Sequence, residues 1–190
     1  AQGNATEAQE AFGESLRICR WLSEQDVTNA EWQSGLAGAL SRVGEAWQAQ
    51  GNMTEAQAAF GESLRIWRRL SEQDPTNANW QVGVGGAFSR VGDVLQAQGN
   101  VTEAQAALGE SLQICRRLSE RDSTNVNWQS GLAGALSRVG DMLQAQGNAT
   151  EAQEAFGESL RICRWLSEQD VTNAEWQSGL AGALSRVGEA

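Results

Sequence analysis

The chain has 190 residues, a formal charge of −10, 14 arginines, and no lysine, histidine or tyrosine. Without histidine there is no Ser-His-Asp or Cys-His catalysis and no imidazole to hold zinc, and the negative charge repels phosphate, which makes nucleic acid a poor partner. The longest uncharged runs, such as "NWQVGVGGAFS", are too short and too polar to span a bilayer, and with no charged-then-apolar leader in view a cytoplasmic location is expected.

"AQGN" recurs at Ala1, Ala49, Ala97 and Ala145, always 48 residues apart, and residues 1–46 return letter for letter at residues 145–190. A fixed period of this size marks a solenoid. A single array over residues 1–190 is expected, with repeats starting at 1, 49, 97 and 145.

Each repeat reads as two helices. In the first, Asn4 to about Glu24 carries Ala8, Phe12, Leu16, Cys19 and Leu22 at spacings of three and four, an apolar stripe at helical period. Asn4 and Glu7 have capping-box spacing, repeated at Asn52/Glu55, Asn100/Glu103 and Asn148/Glu151. A helix from about Ala30 to Gln50 follows, with Trp32, Leu36, Leu40, Val43 and Trp47 on one face; Thr28 with Glu31, and Thr172 with Glu175, supply its capping signature. Pro75 falls between helices, and Gly51, Gly99 and Gly147 stand where a left-handed residue ends one. Gly13, Gly35, Gly38 and Gly44 lie inside the predicted helices, each at roughly 1 kcal/mol relative to alanine. Their recurrence at one register predicts close approach between helix backbones.

The chemistry-bearing residues follow the same period. Cys19, Cys115 and Cys163 share one repeat position with Trp67. Such sites stand about 20 Å apart in a stack of helix pairs, beyond the ~7 Å reach of a disulfide, so buried apolar packing is expected of them. The carboxylates (Glu7, Glu10, Glu14, Glu24, Asp26) recur as surface charge and no catalytic pair stands out. Asn4, Asn52, Asn100 and Asn148 match a glycosylation sequon, which their place as helix caps explains. No catalytic residue, metal ligand or cofactor is expected. Trp32, Trp80, Trp128 and Trp176 occupy one position throughout and read as anchors between helices, with a cation or base stack as the alternative. Trp21, Trp47, Trp67 and Trp165 change between repeats and suit partly exposed contact positions.

The segment "LSRVGDMLQAQGNATEAQEAFGESLRI" resembles a tetratricopeptide repeat: Val139 and Gly140 match its Leu-Gly pair, Leu143 the large residue after it, Gly147 the turn, and Ala152, Phe156, Ser159 and Leu160 the second helix. The period is 48 residues rather than about 34, similar to the lengthened bacterial and kinesin-light-chain-like versions. The resemblance implies an all-α, right-handed solenoid of antiparallel helix pairs whose first helices line a concave groove. It places the groove on Gly38, Ser41, Glu45, Gln48 and Ala49, then Ser89, Asp93 and Gln96, then Ser137, Asp141 and Gln144. These side chains are small, polar and acidic, which suits an extended, basic or amide-bearing protein segment held by hydrogen bonds. A non-catalytic protein-interaction scaffold is therefore expected, the alternatives being a self-associating structural repeat or the regulatory array of a larger enzyme. The outermost helices, Asn4–Glu24 and Ala174–Ala190, each present an apolar stripe with no neighbour, from which head-to-tail association is expected.

Overall fold

A computed structural model describes the backbone of residues 2–189 and the side chains of residues 10–189. Eight helices follow one another, with no strand among the described residues: α1 (Gln2–Gln25), α2 (Ala30–Ala49), α3 (Met53–Gln73), α4 (Ala78–Ala97), α5 (Val101–Arg121), α6 (Val126–Ala145), α7 (Ala149–Gln169) and α8 (Ala174–Glu189). Antiparallel pairing of successive helices makes this an all-α solenoid. The helices form two compact units, residues 1–100 and 101–190.

The helix ends are built by means that differ from those read in the sequence. The helices α2, α4, α6 and α8, the first helices of the pairs that the resemblance implies, are capped by Asn29, Asn77, Asn125 and Asn173, not by the threonine before each: Asn29 Oδ1 accepts from the Glu31 and Trp32 amides, both at 3.1 Å, Asn125 and Asn173 accept from the matching pairs of amides, and Asn77 accepts from the Trp80 amide. Thr28 instead closes the preceding turn, its hydroxyl donating to Asp26 Oδ1 at 2.6 Å. The capping boxes at 52 and 148 do not form, since neither asparagine side chain makes a cap hydrogen bond, and Asn4 lies within α1. Asn52 and Asn148 instead close the helix before them. Gly51 adopts φ +80°, its amide donates to Gln48 O (3.0 Å), and the Asn52 amide donates to Trp47 O (2.9 Å), the paired bonds of a Schellman motif. Gly99/Asn100 and Gly147/Asn148 repeat it.

In the first unit, α3 lies between α2 and α4. Phe60 and Leu70 are fully buried, and Leu36, Ala37, Leu40 and Ile66 pack around Leu70. Each buried Leu, Ile or Phe side chain among them contributes roughly 1.5–3 kcal/mol. The Phe60 ring sits on Gly44, where a Cβ would stand 2.5 Å from it. Gly140 meets Phe156 in the same way in the second unit, and Gly83 meets Trp67 in the first. The close approach is thus helix backbone against an aromatic ring. Register alone does not set it: Gly35 shares the register of Gly83, yet at Gly35, as at Gly13 and Gly38, a Cβ would meet nothing within 4 Å. Polar bonds lock the same seam. Ser63 Oγ donates to Ala37 O (2.9 Å) and pairs with Ser41 Oγ (3.1 Å), and Ser159 does likewise with Ala133 O and Ser137.

Of the tryptophans, Trp32, Trp80, Trp128 and Trp176 are half-buried, and Arg121 lies over the Trp128 ring at 5.8 Å, so one anchor also carries a cation stack. Trp21 is exposed, while Trp47 and Trp67 pack against the core. The three cysteines are free thiols; Cys163 is buried and Cys19 and Cys115 are half-buried. Burial raises the Cys115 and Cys163 thiols above the ordinary thiol range.

Candidate functional site

The sequence-derived groove positions fall on the first helix of each pair, at spacings of four and three that keep them on one helical face. In the first unit these are Ser41, Glu45 and Gln48 on α2, and Ser89, Asp93 and Gln96 on α4. In the second they are Ser137, Asp141 and Gln144 on α6.

The serines belong to the packing seam. Ser41 and Ser137 are half-buried and bonded to serines of the next helix, and Ser89 is buried, its Oγ without a hydrogen-bond partner among the described residues. The glutamines stand more open: Gln48 and Gln96 are half-buried, and Gln144 is exposed, with a long bond of 3.4 Å from its Nε2 to Glu189 O.

Arginine pairs with two of the carboxylates. Arg90 of α4 donates its Nε–H to Glu45 of α2 at 2.7 Å. Arg186 of α8 grips Asp141 of α6 through two bonds, at 2.8 and 3.1 Å, and the hydrogen bond to Asp141 raises the Arg186 guanidinium above its ordinary value. Asp93 is half-buried. In each unit the face therefore carries an acid–arginine pair rather than a bare acidic strip. The sequence reading missed these arginines, although a signal was present: every repeat carries Arg at 42, 90, 138 or 186 and an acid at 45, 93, 141 or 189. The pairing spacing of 45 residues has meaning only once one first helix is laid beside the next.

The second helices carry a matching row. Arg20 of α1 bonds Glu62 of α3 at 2.8 Å, and Arg116 of α5 bonds Glu158 of α7. Arg68 instead lies over the Phe88 ring at 4.6 Å. Beside the Arg20–Glu62 pair, a cleft of about 450 Å³ opens between α1, α2 and α3, with Arg65 and Arg69 on its wall. Arg69 donates to Gln33 Oε1, and Glu24 and Glu62 offset the arginines. No three His, Cys, Asp or Glu side chains gather to hold a metal ion among the described residues, and no described helix is long and apolar enough to cross a membrane.

Comparison with known proteins places this architecture. The crystal structure of BtubC (BKLC) from P. vanneervenii shares the fold with a TM-score of 0.63, over 98% of this chain and 74% of that one, at 13% identity. The crystal structure of MamA matches with a TM-score of 0.48 at 16% identity, over 100% of this chain and 96% of its own. The N-terminal domain of stress-induced protein-1 (STI-1) from C. elegans has the same score and identity, over 80% and 96%. No curated protein matches the chain in sequence. The family model described as tetratricopeptide repeat matches residues 36–76, 84–125 and 132–166. With more than half of its length matched in three successive copies, the chain belongs to the tetratricopeptide repeat family, whose members are typically non-catalytic scaffolds for protein interaction.

Proposed function

We propose that the chain binds an extended segment of a partner protein along the α2 and α4 faces of its first unit. The observation that supports this reading is the pair of half-buried amides, Gln48 and Gln96, on the two helices that the Glu45–Arg90 bridge joins in the first unit. Neither amide has a hydrogen-bond partner among the described residues. Each offers both a donor and an acceptor, which matches the alternating N–H and C=O of an extended backbone. The charge of −10 steers basic segments toward the chain. A basic side chain that reaches Glu45 then shares the carboxylate with Arg90, so the amides supply most of the local hold.

The test is selection of binders from a displayed peptide library, followed by calorimetry on the best of them. Replacing Gln48 and Gln96 together by Ala is expected to weaken binding by about 1–3 kcal/mol, two ordinary hydrogen bonds, with unchanged helical circular dichroism. Selected peptides that are neither basic nor affected by the double variant would sink this reading.

A further inference from the structure

The α8 helix leaves open the face that its counterparts bury. Leu40 of α2 is 2% exposed and Leu136 of α6 is 1% exposed, yet Leu184 of α8 is 47% exposed. Gly44 and Gly140 each back onto a phenylalanine ring, whereas a Cβ on Gly188 would meet nothing within 4 Å. Ser41 and Ser137 bond serines of the following helix, but among the described residues Ser185 bonds its own helix alone, at Ala181 O (3.2 Å). At the other end of the chain, Phe12 and Ser15 of α1 are half-buried, while Phe156 and Ser159, at the same register of α7, are buried.

We propose that the open face of α8 takes the α1 helix of a second copy of this chain. Both surfaces already meet within one molecule. Residues 176–188 of α8 repeat residues 128–140 of α6 letter for letter, and residues 5–25 of α1 repeat residues 149–169 of α7. The α6–α7 seam therefore specifies the junction. Phe12 of the second copy covers Gly188 as Phe156 covers Gly140. Its Ser15 donates to Ala181 O and pairs with Ser185, as Ser159 does with Ala133 O and Ser137.

The charges agree independently. Glu189 and Arg42 stand at the registers that pair as Glu45–Arg90 and Asp141–Arg186. Arg164 and Glu14 stand at those that pair as Arg20–Glu62 and Arg116–Glu158. None of these four side chains has an ion-pair partner among the described residues. The junction joins Glu189 to Arg42 and Arg164 to Glu14, completing both rows between copies. The contact is heterologous, so each added copy presents a fresh α8 face.

Sedimentation equilibrium of the 190-residue chain, from micromolar to millimolar concentration, tests this. The average mass is expected to rise with concentration. Gly188→Leu fills the space meant for Phe12, its Cβ meeting nothing within 4 Å in its own chain, so it should lower the association constant at least about tenfold. Its helix content should be unchanged or raised. Glu14→Arg and Arg164→Glu should each weaken association about two- to fivefold, and the double variant should restore it, since every junction then carries the reversed pair. A mass that stays at one chain throughout, a Gly188→Leu chain that assembles like its parent, or a double charge variant without recovery would each overturn the proposal.

Discussion

Serine and glycine recur here with opposite consequences from one position to another, because their surroundings differ. Ser63 Oγ donates across the α2–α3 seam to Ala37 O, so Ser63→Ala should cost about 1 kcal/mol through the lost hydrogen bond, Ser41 Oγ still donating to that carbonyl. Ser89 Oγ is buried with no partner among the described residues. Ser89→Ala should therefore change stability by less than about 0.5 kcal/mol, or stabilise. Gly44→Ala drives a methyl into the Phe60 ring and is expected to cost about 1–3 kcal/mol, whereas Gly38→Ala enters open space and should stabilise by up to about 1 kcal/mol. Phe60→Ala, which empties a fully buried site, should cost about 3–5 kcal/mol. Urea denaturation of the five variants checks the order. A Gly44→Ala chain as stable as Gly38→Ala would refute the ring contact.

Among the elements, the turn between paired helices has the most explicit chemistry. In each repeat the aspartate accepts from the threonine hydroxyl and amide two residues on, and the following asparagine caps the next helix. The threonine side-chain bond, and then its amide, hold Asp26, Asp74, Asp122 and Asp170 below the ordinary aspartate value. A depressed folded value means that the stabilisation is complete above the unfolded value of about 3.9 and is lost as pH falls through the lower folded one. Carboxyl-carbon NMR titrations should show these four aspartates protonating at lower pH than in a denatured sample, and Thr76→Val should move Asp74 upward. Asn77→Ala should cost about 0.5–2 kcal/mol as a lost cap. Thr76→Ala should leave the α4 N-terminus capped, which separates the roles of the two residues.

For the whole molecule, the expected far-ultraviolet spectrum is almost purely helical. Stability should rest on the seams between neighbouring helices rather than on any one helix, as in other stacked repeats. The exposed acid–arginine rows should contribute little to folding, since such pairs are each worth about 0–1 kcal/mol. Raising salt is accordingly expected to shift the melting temperature only slightly. Its larger effect should fall on association and partner binding, where Arg42, Glu14, Arg164 and Glu189 meet an opposite charge. A melting temperature that drops steeply with salt would contradict that division.

The helices and their order were legible in the sequence because each repeat carries apolar residues at helical spacing between a glycine stop and an Asp-x-Thr-Asn turn. So was the register that buries Ala152, Phe156 and Leu160, since an unbroken period brings identical side chains into identical layers. Tertiary structure decided what local spacing leaves degenerate. Thr28 and Asn29 both offer a capping oxygen, and the geometry of the Asp26 turn engages the first and leaves the second to cap. Gly38 and Gly44 are alike as letters; only the position of Phe60 on the next helix distinguishes a required glycine from a tolerated one. The acids on the first helices read as free charge because their arginines lie 45 residues away. That distance along the chain becomes a salt bridge only when two first helices are packed side by side.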